Sequence, residues 1–549
     1  MKKKTGTIVM AAILGFMIVL PVISVFARAV ITEDGRFDVS SAASVIFDSR
    51  NAVTIGNSLL MAFLVAAVST LISTPLAFIL TRTKLAKQKW LDIVLMIPFM
   101  TPPYISAMGW ILFMQKRGLF QQLFPWTGSW SERFFSLAGL VLVMSFHSFP
   151  FMTGMIKNAI MNLRASMEES AAICGESSPG IFRKITMPLL TGNYAIALML
   201  VFVKALSEYG TPATLGSRIG FYVFTTDIHR YASVAPIDFG KASSLSSILV
   251  LIYLIIWRLQ DGVTRRHTYS LVGSRQQAAV SEKKAVTILG SLYVVIIMLI
   301  TIGIPYFSII ATSLIDKRGY GLAKGNFTLA HYAELFTSES AKGFRAIGTS
   351  LTLAASAATI ASLAGMIVAL KMRRKSRLNQ IVEGEALLPE MIPNIVFAIG
   401  MMILWNRLYK FIPLYNTRGF MVLVYVVMFL PYAVQYTSSA FIQVGSHLVE
   451  AARISGGSES YIFWHILFPL VSPGVFTGWM MIFIISFREL VASSLTSPPN
   501  VLTVSTFITH EFDQGSVSVG MCMAVFCVLI TTGALIMLNV LASRKKKVA

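Results

Sequence analysis

The sequence predicts an all-α membrane protein of about 12 transmembrane helices, arranged as two parallel 6-helix repeats. Three observations carry that prediction. Of 549 residues, 55% are apolar and 13% charged, and no long stretch resembles a soluble domain. Apolar runs of about 20 residues, the length that crosses a bilayer, begin near positions 8, 53, 91, 138, 189, 243, 286, 347, 385, 420, 467 and 517. The chain also repeats itself: Glu169-Ser170-Ala171-Ala172-Ile173-Cys174-Gly175, with Ile185-Thr186-Met187-Pro188 ten residues on, returns as Glu450-Ala451-Ala452-Arg453-Ile454-Ser455-Gly456 with Ile466-Leu467-Phe468-Pro469.

The first run follows Lys2-Lys3-Lys4 and could pass for a secretory signal ending near Ala27. At about 20 apolar residues it exceeds a usual signal core and is expected to remain as a span. The repeat then pairs the later elements. In the second spans Ile55-Gly56-Asn57-Ser58-Leu59 answers Ile347-Gly348-Thr349-Ser350-Leu351; in the third, Pro98 and Pro102 answer Pro389 and Pro393; in the fourth, Pro150 answers Pro431. From there the offset is constant at 281 residues: Phe182 answers Phe463, Glu208 answers Glu489 and His229 answers His510. Such self-similarity marks one membrane unit written twice. Arg258 to Lys284 has little apolar periodicity and reads as a linker, leaving 1–257 and 285–549 as the two halves.

Charge orients the chain, because short loops rich in Lys and Arg stay in the cytoplasm. With both termini inside, Lys2 to Lys4, Arg82 to Lys89, the linker, Lys371 to Arg377 and Arg544 to Lys547 all fall on that side, as do both repeated loops. The net charge of +21 is then explained by orientation and contact with anionic lipid heads, and no nucleic-acid partner is needed. An even number of spans per half makes the repeats parallel, with a central pathway between them.

The repeated loops, 166–188 and 447–469, have a local logic. Ser166 with Glu169 forms a candidate capping box, Gly175 is suited to end the helix in the left-handed conformation, and Pro179 suits the first turn of a second short helix. Phe182 and Ile185 share one face of it, and Phe463 with Ile466 repeats that face. Two short helices at a steep angle could fill another protein's groove; an interfacial helix on lipid heads is the alternative.

The pattern E-A-A-x3-G-x9-I-x-L-P resembles the signature of the membrane subunits of binding-protein-dependent ABC importers. The first copy departs at Ser170 and Met187, the second at Phe468. The resemblance covers nearly the whole chain as two fused permease halves, an arrangement typical of ferric-iron importers and of related thiamine and 2-aminoethylphosphonate importers. Asn326-Phe327-Thr328-Leu329-Ala330-His331-Tyr332 and Phe487-Arg488-Glu489-Leu490 are similar to that group as well.

The resemblance implies a type I ABC importer permease fold in a bacterial cell membrane, with ferric iron as the first candidate solute. It further implies a homodimer of ABC ATPase subunits that carries ATP and magnesium, and a periplasmic or lipid-anchored solute-binding protein. The residues it assigns to ATPase coupling are Glu169, Ala171, Gly175, Phe182, Ile185 and Pro188 in the first loop. In the second they are Glu450, Ala451, Ala452, Gly456, Phe463, Ile466 and Pro469. No cofactor is expected on this chain.

The sequence holds no G-x4-G-K-[ST] phosphate loop, since Gly240-Lys241-Ala242-Ser243 lacks the upstream glycine and the hydroxyl residue after lysine. H-E-x-x-H, paired Cys-x-x-Cys and G-x-S-x-G are also missing, so no catalytic site is expected. Cys174, Cys522 and Cys527 lack metal-ligand spacing and read as packing residues.

Lys204, Glu208, Arg488 and Glu489 lie near the outer ends of the fifth spans, where charge is costly and tends to face cavities. Glu208, Arg488 and Glu489 are candidates for a gate or a binding-protein contact, with paired or snorkelling interface residues as the alternative. His147, whose repeat partner is Met428, reads as a hydrogen-bonded helix residue, and His229 and His510 as outer-loop residues rather than metal ligands. Pro98, Pro102, Pro103, Pro389 and Pro393 mark either broken helices along a pathway or packing kinks. A twelve-span secondary transporter has no use for the repeated loop, and Arg82 to Gln88 lacks the Gly and Asp such a protein carries between its second and third spans. A scaffold without transport activity would not explain paired docking loops.

Overall fold

A computed structural model describes residues 2–32, 34–163, 165–266, 284–337, 342–373 and 376–545. Most of the expected linker, 267–283, lies outside them. The described residues are helical apart from loops and two isolated β-bridges.

In chain order the first half contains α1 (Thr5–Val30), α2 (Ser49–Arg82), α3 (Lys89–Met100), α4 (Pro103–Met114), α5 (Leu137–Met161), the short α6 (Ala165–Ile173), α7 (Pro179–Ser207), the short α8 (Phe224–Ser233) and α9 (Phe239–Arg266). The second half repeats them as α10 (Lys284–Leu314), α11 (Lys342–Met372), α12 (Arg377–Met391), α13 (Asn394–Leu408), α14 (Arg418–Gln443), the short α15 (Ser446–Ile454), α16 (Glu459–Phe487), the short α17 (Val504–Asp513) and α18 (Val517–Lys545). Among the described residues ten helices are long and apolar enough to cross a membrane, or up to twelve if each bent pair counts as one span. The bent pairs are α3 with α4, at 86°, and α12 with α13, at 113°. Each break falls at the paired prolines, whose missing N–H and ring clash interrupt the helical ladder. These are sharp breaks, not gentle packing kinks.

The fold forms two compact units. Unit one is Met1–Asp48, Asp227–Val250 and Tyr332–Ala549; unit two is Ser49–Thr226 and Leu251–His331. Each unit therefore joins the first span of one half to the second through fifth spans of the other. In unit one α1 packs on α13, where a Cβ on Gly400 would stand 2.5 Å from the Pro21 carbonyl oxygen. In unit two α10 packs on α4, where a Cβ on Gly109 would stand 2.8 Å from that of Pro305. Only glycine permits either approach, and small residues at helix interfaces are how membrane helices pack closely. The same device lines the second spans: Ser69, Ser73 and Ala77 on α2, and Ala357, Ala361 and Gly365 on α11, are buried at four-residue spacing.

Among the described residues, four spans contain a wide, π-type turn, at Gly15–Val19, Phe182–Thr186, Leu299–Gly303 and Phe463–Leu467. Each lies two residues before a proline, Pro21, Pro188, Pro305 or Pro469. Widening the preceding turn moves the carbonyl that the proline ring would strike.

Candidate functional site

The repeated loops take the same shape in both units. α6 ends at Gly175, with φ of 85°, where the Glu176 N–H donates to the Ala171 carbonyl and the Gly175 N–H to that of Ala172, both at 3.0 Å. α15 ends at Gly456, with φ of 81°, where the Gly457 N–H donates to Ala452 at 2.9 Å and the Gly456 N–H to Arg453 at 3.0 Å. This paired 6→1 and 5→2 bonding requires a left-handed residue, hence the glycine. The start of the first loop differs from expectation. α6 begins at Ala165, so Ser166 lies inside the first turn instead of capping it.

Glu169, Glu450 and Ala451 are exposed, while Ala171 and Ala452 are partly covered. Phe182 packs edge-on against Phe78 of α2 at 5.3 Å between ring centroids. Phe463 lies against an apolar cluster of Ala369, Phe441, Ile462, Leu467 and Val471. Ile185 and Ile466 are half-buried below them, and Pro188 and Pro469 follow the wide turns. The motif thus splits: its second part holds the loop to the spans, and its first part faces outward.

Sequence reasoning missed two pairs of residues. Ile173 and Ile454, at the C-terminal ends of α6 and α15, are 87% and 88% exposed. Met167 and Leu448, one to two turns earlier, are also exposed. Both pairs keep the 281-residue offset, and matched exposed apolar residues on two polar loops were the available signal.

The loops differ in how they are tied down. In the first, Arg82 at the end of α2 forks onto Glu168, with Nη1 to Oε2 at 2.7 Å and Nη2 to Oε1 at 2.9 Å, and the Thr186 hydroxyl donates to Oε1 at 2.8 Å. In the second, Val449 stands where Glu168 does and joins the apolar cluster, and Arg373 lies over the Phe441 ring at 5.3 Å. Lys184 pairs with Glu176 at 2.7 Å, and its hydrogen bond holds that carboxyl below the usual range. Arg453 pairs with Glu459 at 3.0 Å.

At the C-terminal ends of the fifth spans, both repeated glutamates turn onto backbone. Glu208 Oε1 accepts the Gly210 N–H at 2.8 Å and that of Thr211 at 3.3 Å, and Glu489 Oε1 accepts the Ala492 N–H at 3.1 Å. Each caps the turn that follows its span. Arg488 directly precedes Glu489, which is only 9% exposed. Helices α8 and α17 start alike as well: the Phe224 N–H of α8 donates to Ser58 at 2.7 Å, and the Val504 N–H of α17 to Ser350 at 2.8 Å.

His147 Nδ1 lies 2.9 Å from the Pro98 carbonyl, which a helix would have bonded to the N–H that Pro102 lacks. His229 Nε2 lies 2.9 Å from the Ser494 hydroxyl, and burial pushes its pKa down to about 4. His510 is beside Glu511 at 3.5 Å. Among the described residues no three His, Cys, Asp or Glu side chains come together as a metal cluster. Cys174 is exposed, and Cys522 and Cys527 are buried.

The family of binding-protein-dependent transport system inner membrane components matches the chain twice, over residues 73–269 and 361–547. The chain is 24% identical over 526 residues to the ferric transport system permease protein FbpB of Actinobacillus pleuropneumoniae, covering 92% of this chain and 73% of that one. It is 21% identical over 532 residues to the Fe(3+)-transport system permease protein FbpB 2 of Haemophilus influenzae, covering 94% and 95%. Over 192 residues it is 32% identical to the spermidine/putrescine permease PotC of the same organism, covering 34% of this chain and 72% of PotC. Two family matches in register with two copies of one helical plan make the chain a fused, multi-pass member of the binding-protein-dependent transport system inner membrane components, with the type I ABC importer permease fold.

Proposed function

We propose that this chain forms the membrane path of an ATP-driven importer of ferric iron and couples it to separate ATPase subunits through loops 166–188 and 447–469. The observation that carries the reading is the matched pair of outward-facing tips, Glu169 with Ile173 and Glu450 with Ile454, on loops of the same shape. An exposed isoleucine on a polar helix end gains by entering an apolar groove. A homodimer of ATPases, holding ATP and magnesium, supplies two such grooves. Glu169, Ala171, Glu450, Ala451 and Ala452 line the contact, and Gly175 and Gly456 turn the chain back towards the spans. Phe182, Ile185, Phe463 and Ile466 transmit the movement, since they seat the loops on the helices.

Nucleotide and a loaded solute-binding protein shift the permease between inward- and outward-facing states through differential affinity for them. Both termini lie in the cytoplasm, as the basic loops favour. The iron assignment is supported by ferric transport relatives that match most of the chain. The test is radiolabelled ferric-iron uptake in iron-starved cells lacking the gene, restored with wild type or with Glu169→Lys plus Glu450→Lys. Wild type is expected to restore uptake and the double variant to insert without restoring it. Wild-type uptake by the double variant would defeat the docking reading. Indifference of iron uptake to the gene would move the solute to 2-aminoethylphosphonate, thiamine or another small molecule.

A further inference from the structure

In unit one a carboxylate stands at the break of the third span. Glu390, next to the last residue of α12, is exposed, and Gln435 of α14 donates its amide N–H to Glu390 Oε2. Tyr432, Gln435 and Tyr436 share one face of α14, and both tyrosines are half-buried. We propose that Glu390, Tyr432, Gln435 and Tyr436 form a binding site for a small, highly charged metal cation, ferric iron in the permease reading. The proposal deepens that reading and rests on it for a role in transport.

Among the described residues Glu390 makes no ion pair, and neither the Tyr432 nor the Tyr436 hydroxyl makes a hydrogen bond. These groups lie at the break of one span and in the interior of the next. An exposed carboxylate and unpaired hydroxyls are costly there in hydrocarbon, so the face they share is wet. Arg488, whose charge also reaches Tyr432, acts on the adjoining Glu489.

The ligand class follows from the donors, which are all oxygen. They are a carboxylate, two phenols and an amide carbonyl, since the Gln435 Nε2 is turned to Glu390 and leaves Oε1 to accept. Small cations of high charge take oxygen ligands, whereas softer metals take sulfur or imidazole. The C-terminal end of α12 adds carbonyl dipoles that favour positive charge, and interrupted spans hold cations in this way.

The first half is an internal control. It has the same broken third span, yet Phe99 stands at the position of Glu390, Phe151 at that of Tyr432, Gly154 at that of Gln435 and Met155 at that of Tyr436. The break and the span therefore form without any of the four polar side chains.

The test is a terbium(III) titration of the full chain in nanodiscs of zwitterionic lipid, read as emission on tyrosine excitation. Terbium is a hard trivalent ion that stays soluble at neutral pH. Saturable emission from one site per chain is expected, displaced by gallium(III) and not by the organic dication putrescine. Affinity should be about tenfold or more weaker in Glu390→Gln and within about threefold in Glu383→Gln, earlier on the same helix. Tyr432→Phe, the residue the first half carries, should lower the emission, and melting temperatures check that each variant folds. Absence of saturable binding up to millimolar terbium overturns the proposal, as does equal affinity in Glu390→Gln or displacement by putrescine. In the complete importer, Glu390→Gln is expected to keep ATPase stimulation by loaded binding protein while ferric-iron uptake falls; unchanged uptake would overturn the role in transport. If the wild type shows no stimulation, the permease reading fails, while the terbium measurement on the chain alone still stands.

Discussion

If the repeated loops couple to ATPase subunits as proposed, the tether on the first loop is the place where a single side chain should change coupling without touching the exposed loop tip. Arg82 binds Glu168 through both guanidinium nitrogens, and Thr186 adds a third bond to the same carboxylate, so α6 is tied to the ends of both α2 and α7. Hydrogen bonds to charged groups contribute about 1.5–3 kcal/mol when shielded, while exposed pairs contribute about 0.2–1 kcal/mol. The two side chains are 21% and 19% exposed, between those limits. Replacing Arg82 by Met should therefore release about 1.5 kcal/mol of local ordering, roughly a tenfold gain in the open population of the loop. Hydrogen exchange over residues 165–176, read in nanodiscs, should speed by that factor, and the solute moved per ATP should fall. Arg373→Met is a control on the second loop: Arg373 lies over the Phe441 ring and pairs with no carboxylate among the described residues, so exchange over 446–457 should change by less than about threefold. Equal exchange in Arg82→Met and wild type would refute the tether, and equal acceleration by both variants would refute its restriction to the first loop.

Three further outcomes follow from particular contacts. Gly109→Val and Gly400→Val place side chains 2.8 Å and 2.5 Å from proline carbonyl oxygens, and each should cost about 1–3 kcal/mol of overpacking, seen as a lower melting temperature in detergent. Gly56→Val, with nothing within 4 Å, should leave the melting temperature nearly unchanged. His229 should make the fold acid-sensitive. Its folded pKa of about 4 lies below the ordinary 6.5, so on acidification the unfolded state binds the proton first. Stability contributed by the neutral ring is present above pH 6.5, falls by up to about 1.4 kcal/mol per pH unit, and levels off near pH 4. His229→Gln should flatten that part of a denaturation-versus-pH curve.

The span count, the paired loops and the glycine turns were legible because each rests on local patterns: apolar length, repeat spacing and a left-handed residue at a helix end. The exchange of first spans between units was not legible. An offset along the chain pairs α1 with α10 in sequence, but it does not say which body either helix packs on; that depends on Gly109 and Gly400, single small residues within apolar runs. Arg82 had been absorbed into the charge pattern that orients the chain, so its carboxylate partner 86 positions away went unnoticed. Ile173 and Ile454 fell in the unspecified positions of the motif. Ser166 failed as a cap because the helix begins one residue earlier, at Ala165, and a capping pattern predicts an end only to within a residue or two.

The duplication makes each half a control for the other, and the comparison separates what the fold needs from what this chain adds. The wide turn before Pro188 and Pro469 also occurs before Pro21 and Pro305, in spans that carry neither repeated loop. The proline that closes the motif is therefore a way of bending a span, shared with the first spans, and its presence alone does not mark a docking surface. What distinguishes the loops is the turn at Gly175 and Gly456 with an isoleucine left in water beside it. Where the halves differ, one loop carries an ionic tether and the other an apolar seat. The two loops thus share a turn and differ in the contacts that hold them, so a substitution at one tether need not have a matched effect at the other.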